Sequence, residues 1–90
     1  VLIISEEAVN QALPVATVVC LTTLKPGRKI YSIEVLINPE ESGLPHPSLV
    51  MAYQVRSIAK ERLTERCGYI AGEVTRANIK KALKAYLDLL

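Results

Sequence analysis

The chain alternates between apolar runs and short polar breaks in a way that predicts a mostly β protein closed by one helix. Val1 to Ile4 is a continuous apolar run, as expected of a strand covered on both faces. Ser5 is placed to cap a short helix over Glu6 to Leu13, which Pro14 ends. Val15 to Thr23 is rich in β-branched residues and predicts the next strand. Lys25-Pro26-Gly27-Arg28 carries the Pro-Gly signature of a type II turn. From Lys29 to Ile37 the residues alternate, with Tyr31, Ile33, Val35 and Ile37 as the expected inward face.

Asn38 to Pro47 shifts to Pro, Glu, Ser, Gly and His and reads as a surface loop. Two strand segments follow, Ser48 to Tyr53 and Gln54 to Ile58. A charged helical turn comes next at Lys60-Glu61-Arg62-Leu63, then a last short strand around Cys67 to Ala71. Beyond Gly72 the period becomes helical. Ile79, Leu83, Tyr86, Leu87 and Leu90 form the apolar stripe, and Arg76, Lys80, Lys81, Lys84 and Asp88 stay on the wet side. About five short strands with hairpin-scale connections and a terminal helix imply a small, strongly bent sheet or SH3-like barrel.

Ninety residues suffice for one core and one domain, residues 1–90. With half the residues apolar and 22% charged, the chain is an ordinary folding sequence rather than a disordered one. No apolar run is long enough to cross a bilayer, and no basic leader precedes the first apolar run. The net charge of +2 neither requires nor excludes a polyanionic partner. Cys20 and Cys67 lack CxxC spacing and the chain holds one histidine, so no zinc site is expected. Buried free thiols in a reducing compartment are the expectation, with a disulfide as the alternative. Gln54 and Arg56 interrupt the apolar run of Ser48 to Ile58 and are the polar side chains best placed to face a ligand.

Several short motifs occur in one collinear order: Ser5, Asn10, Leu21-Thr22, Gly43-Leu44, Pro47-Ser48, Gln54-Val55-Arg56-Ser57, Arg62-Leu63, Gly68-Tyr69-Ile70 and Ala82-Leu83. In that order they resemble the MazF/PemK family of toxins over almost the whole chain. The resemblance implies a mainly β fold with a C-terminal α-helix, an SH3-like barrel of the MazF/CcdB type. It implies a sequence-specific endoribonuclease that cleaves single-stranded mRNA without metal or other cofactor. The implied partners are RNA, a cognate antitoxin and a second copy of the chain, in the cytoplasm and without membrane. Family members carry a Trp-containing strand and a Gly-rich loop ending in Arg-Pro ahead of the position of Val1. The chain begins with Val rather than Met, so its native beginning is expected to lie outside this sequence.

Metal-free RNA cleavage uses the ribose 2′-hydroxyl as nucleophile and needs donors for the charge that grows on phosphorus. By the resemblance Thr22 is the catalytic threonine, orienting that hydroxyl or donating to a non-bridging oxygen, and Thr23 is its alternate. Read without the family, Thr22 is a strand residue bonding across a ladder. Gln54 matches a position that contacts RNA bases, and amides pair with base edges; its other reading is a capped strand end. Arg56 offers a planar fork to phosphate or else ties to a carboxylate such as Glu34. Lys25, Arg28 and Lys29 form a basic hairpin tip that tracks an RNA backbone or is simply solvated. His46 is expected to be an exposed bystander, and the four tyrosines to pack with a wet hydroxyl end.

One departure bears on activity. Where family members commonly carry an Asp, this chain has Ala59. This favours an alternative, a catalytically impaired RNA- or antitoxin-binding member of the same fold. A CcdB-type gyrase poison shares the barrel but depends on a Trp near the end of its last helix, and the chain has none. An SH3-like adaptor for proline-rich peptide needs an aromatic groove, for which four tyrosines without Phe or Trp are poor material.

Overall fold

The computed structural model describes residues 1–89. The elements run β1 (Leu2–Ile3), α1 (Glu7–Ala12), β2 (Val15–Thr23), β3 (Glu34–Ile37), α2 (Pro39–Ser42), β4 (Ser48–Ala59), a 3₁₀ turn (Lys60–Arg62) and α3 (Glu73–Leu87). The strands form one antiparallel sheet in the order β1-β2-β4-β3, bent into a half-barrel with α3 packed on β3 and β4.

The β2–β4 pairing builds the sheet and also bends it. Val19 stands opposite Val55 and Cys20 opposite Met51, so Ala52, Tyr53 and Gln54 have no partner on β2. Extra residues on one strand of a pair bend it and steepen its twist. The two segments expected at 48–53 and 54–58 are therefore one strand, with its break at Gln54. Ala52 remains tied in on the other side, where its N–H donates to the Ile33 carbonyl at 3.1 Å.

Val19, Ile37, Val50 and Ile79 form the buried core, with Leu2, Ile4, Leu21, Val35, Val55, Ile70 and Leu83 packed around it. Paired residues share a face, so Val19, Leu21 and Val50 meet the apolar stripe of α3. Within that stripe Ile79 and Ala82 are buried, whereas Tyr86 and Leu87 are exposed. Leu90 lies outside the described residues. At its start α3 is held by the Thr75 hydroxyl, which donates to the Glu41 carboxylate.

Further expectations change, and Pro39–Ser42 of the expected surface loop form the short helix α2. Residues 29–33 are not strand, because Arg28 folds back onto Glu34 and β3 begins only there. Of the expected inward face, Ile37 is buried and Val35 packs on the core, but Tyr31 is exposed, and Glu34 from the opposite set is buried. The segment 67–71 has no ladder partner; it is held instead by close approach to the loop after α2. Ser5 does not cap α1, which begins after Glu6 without a side-chain cap bond. Its hydroxyl donates to the Asn10 side-chain oxygen and accepts from the Thr17 N–H at 3.0 Å, tying α1 to β2.

The turn at Lys25-Pro26-Gly27-Arg28 forms as expected. Gly27 has φ +79°, and the Arg28 N–H donates to the Lys25 carbonyl at 3.1 Å. Cys20 is half-buried and Cys67 exposed, both as free thiols, so the expected burial holds only in part for the first and fails for the second.

Candidate functional site

Thr22 sits near the end of β2 opposite Leu49, half-buried, and Thr23 sits opposite Ser48, exposed. Successive strand residues point to opposite faces, so the two hydroxyls serve different surfaces. Thr22 shares its face with Cys20 and Met51 and with Glu34, which stands two strands over from Cys20 at about 10 Å. Gln54 is exposed within the unpaired stretch that opens beside Cys20, about 7 Å along the strand from Thr22. The backbone break is what frees the amide from the ladder and leaves it beside the threonine's end of the sheet.

Arg56 falls on the other side of that break, opposite Val18, about 14 Å along β2 from Thr22. It is exposed and makes no side-chain hydrogen bond or ion pair among the described residues. The carboxylate suggested for it, Glu34, is taken by Arg28. His46 is exposed in the loop, where its carbonyl accepts from the Ser48 hydroxyl at 3.1 Å.

The basic hairpin divides into two kinds of residue. Lys25 and Lys29 are exposed, and the Lys29 ammonium lies 5.5 Å from the centre of the Tyr31 ring. Arg28 grips Glu34 with two bonds, Nη1 to Oε1 at 2.9 Å and Nη2 to Oε2 at 2.7 Å, and donates to the Lys29 carbonyl at 2.7 Å. The buried Glu34 carboxylate also accepts the Tyr31 N–H at 2.9 Å and the Tyr53 hydroxyl at 2.8 Å. Arg28 holds its carboxyl well below the usual range, at about 2, against the opposing effect of burial and with help from Tyr31 and Tyr53. The same bonds raise Arg28 and the Tyr53 phenol above their ordinary values.

This carboxylate cluster fixes the hairpin that follows Thr22 and the strand residue that precedes Gln54. The sequence reading missed it, although a Glu at an apolar strand position with an Arg six residues upstream was a usable signal. Among the described residues no three His, Cys, Asp or Glu side chains converge as metal ligands.

A bent antiparallel half-barrel with a C-terminal helix presents a threonine, an exposed amide and a basic hairpin. The profile of the PemK-like, MazF-like toxins of type II toxin-antitoxin systems matches residues 1–87, and the chain belongs to that family. It is 38% identical over 61 residues to the endoribonuclease MazF9 of Mycobacterium tuberculosis, a match that spans 68% of this chain and 51% of that relative. The chain thus covers about half the length of this curated relative.

Among solved structures, the Mycobacterium tuberculosis toxin MazF-mt6 superposes with a TM-score of 0.83 at 27% identity, over 99% of this chain and 85% of that one. An endoribonuclease from a mycobacterial species, solved with its cognate antitoxin, gives 0.81 at 26% identity over 98% and 79%. No helix among the described residues is long and apolar enough to cross a membrane.

Proposed function

We propose that residues 1–90 form a single toxin domain that cleaves single-stranded mRNA as an endoribonuclease. The observation that carries this reading is that Thr22, two residues past the β2–β4 break, and Gln54, in the unpaired stretch at that break, both stay outside the sealed core, with exposed Lys25 and Lys29 following on the chain. In the proposed reaction the ribose 2′-oxygen attacks phosphorus, the bond to the 5′-oxygen breaks, and the proton lost by the 2′-hydroxyl is balanced by one gained at the leaving oxygen. The products are a 2′,3′-cyclic phosphate and a 5′-hydroxyl. Thr22 orients the nucleophile or donates to a non-bridging oxygen; Thr23, whose hydroxyl serves the other surface, is the poorer choice for that role. Gln54 reads a base edge, Lys25 and Lys29 follow the backbone, Arg56 offers a further phosphate contact, and Arg28 holds the hairpin in place.

We further infer a cytoplasmic homodimer silenced by a cognate antitoxin, a reading supported by the solved complex of a similar mycobacterial endoribonuclease with its antitoxin. Exposed Ile3, Val9, Leu13 and Val15 give a second copy apolar surface to cover. Ala59, where the family resemblance expects Asp, favours a second reading in which the domain binds RNA or antitoxin but cuts weakly.

The test is cleavage of an unstructured RNA by the full-length protein in the presence of a chelator, with the new ends identified. Cyclic phosphate ends, and a rate that falls about a hundredfold on Thr22→Ala and partly recovers with Thr22→Ser, support the first reading. Tight RNA binding without new ends supports the second. Neither binding nor cleavage sinks both.

A further inference from the structure

The segment between the 3₁₀ turn and α3 carries a cluster that neither the sequence pattern nor the Thr22 surface accounts for. The guanidinium carbons of Arg66 and Arg76 lie 5.3 and 5.8 Å from the centre of the Tyr69 ring. Arg76 Nη1 donates to the Tyr69 hydroxyl at 3.3 Å, and Arg66 Nε reaches the Gly68 carbonyl at 3.5 Å. Tyr69 is 60% exposed, so this is not the packed tyrosine expected from the sequence.

Two like charges gathered on one ring repel each other. Neither arginine has a carboxylate within ion-pair distance, since Arg28–Glu34 is the sole salt bridge among the described residues. Arg76 also lines an open cavity of about 500 Å³ with Ala71, Glu73, Ala77 and Lys80. Two cations, Arg76 and Lys80, thus line this cavity with Glu73 as its one acidic group, and Arg66 joins them only through the Tyr69 ring.

We propose that Arg66, Tyr69, Arg76 and Lys80 form a docking platform for single-stranded RNA, apart from the Thr22 surface and engaged by nucleotides beyond the cut. The inference rests on the endoribonuclease reading above. A guanidinium within cation–π reach of an exposed aromatic ring keeps N–H donors free for a phosphate, and the exposed ring offers its face to a base. The tyrosine holds both arginines in place before RNA arrives, which reduces the ordering cost of binding. An acidic peptide would use the charges but not the exposed face of Tyr69, so the pairing of cations with an open aromatic ring favours RNA.

The experiment compares a long unstructured RNA of about 20 nucleotides with one of about 6, since a single small domain contacts roughly 4–16. Both are 2′-O-methylated, which removes the nucleophile and keeps them intact. For the Arg66→Gln, Arg76→Gln double variant the long RNA should bind about tenfold more weakly, with a larger loss than for the short one. The slope of log affinity against log salt should flatten by about 1.4, two single-strand phosphate contacts at about 0.7 each. Tyr69→Ala, which frees both arginines without removing charge, should also lower the long-to-short ratio, and Arg76→Lys should keep the slope while losing affinity. Thermal melting confirms that these surface variants fold.

An unchanged ratio and slope in the double variant overturns the proposal while short-RNA binding leaves the nuclease reading standing. Unchanged RNA binding with weakened capture of an acidic peptide overturns it in favour of a protein partner. If the unsubstituted protein binds neither RNA, both readings fall together.

Discussion

Arg28 and Glu34 face each other as a two-bond pair, 2.9 and 2.7 Å, across the root of the hairpin that leads out of β2. The carboxylate is fully enclosed, while the guanidinium side chain keeps 30% of its surface. An enclosed carboxylate persists only when its lone pairs are filled, and here Arg28, Tyr31 and Tyr53 fill them. Glu34→Gln keeps the shape but removes the charge and strands part of the Arg28 fork. It should destabilise the fold by about 2–3 kcal/mol, toward the lower end for a broken buried pair because Arg28 stays partly solvated. Urea denaturation reads this as a lower midpoint, and Tyr53→Phe should lower it less.

The same cluster sets an acid limit. The Glu34 carboxyl has an ordinary value of 4.5 and is lowered to about 2 in the folded state, first through its bonds to Arg28. A folded value below the unfolded one means the unfolded chain binds the proton more readily. The contribution to stability is therefore complete above pH 4.5 and fades as the pH falls toward about 2. Urea midpoints measured down that range should drop for the native chain, and the drop should shrink in Glu34→Gln. Equal pH profiles for the two would show that other groups carry the acid sensitivity.

Gly43 and Gly68 meet where the loop after α2 crosses the segment before α3. A Cβ on Gly43 would strike the Cys67 carbonyl oxygen, and one on Gly68 would strike the Ser42 carbonyl oxygen. Gly43 also sits at φ +75°, where a side chain adds strain. Backbone meets backbone here, so no rotamer change relieves the clash. Gly68→Ala should cost about 2 kcal/mol or more and loosen the Arg66–Tyr69 segment. Melting temperature checks the first effect, and faster amide exchange at residues 66–70 checks the second. A Gly72→Ala control should be milder, since its nearest neighbour is the flexible Glu41 side chain.

How much of this was legible in the sequence depended on whether a residue acts through its neighbours in the chain or across the sheet. The Pro26-Gly27 turn, the β2 strand and the buried side of α3 at Ile79 follow from local chemistry and period, and all appear as read. The strand at 29–33 does not form, because Arg28 finds Glu34 across the hairpin and no alternation rule contains that bond. The motif residues Ser5, Asn10, Gly43 and Gly68 were visible as a pattern before their physical work was. They tie α1 to β2 and let two loops cross. Thr22 was singled out through the family resemblance and Gln54 already by its interruption of the apolar run, while the three residues left unpaired at 52–54 are a property of pairing that the run does not spell out.

The split within the basic hairpin makes the last prediction. Lys25 and Lys29 are exposed and have no carboxylate partner among the described residues, whereas Arg28 is engaged with Glu34. If the hairpin follows an RNA backbone, each lysine releases counterions on binding and Arg28 acts mainly by holding the loop's shape. Lys25→Ala with Lys29→Ala should then flatten the salt slope of RNA affinity by about 1.4 and leave the urea midpoint nearly unmoved. Arg28→Ala should instead lower the urea midpoint clearly, since it leaves the Glu34 carboxylate enclosed without its cation. It should weaken RNA binding with little change in slope. Filter binding across a salt series, paired with urea melts of the same proteins, separates the two. A slope that falls with Arg28→Ala and not with the lysine pair would reverse the assignment and make Arg28 the direct contact.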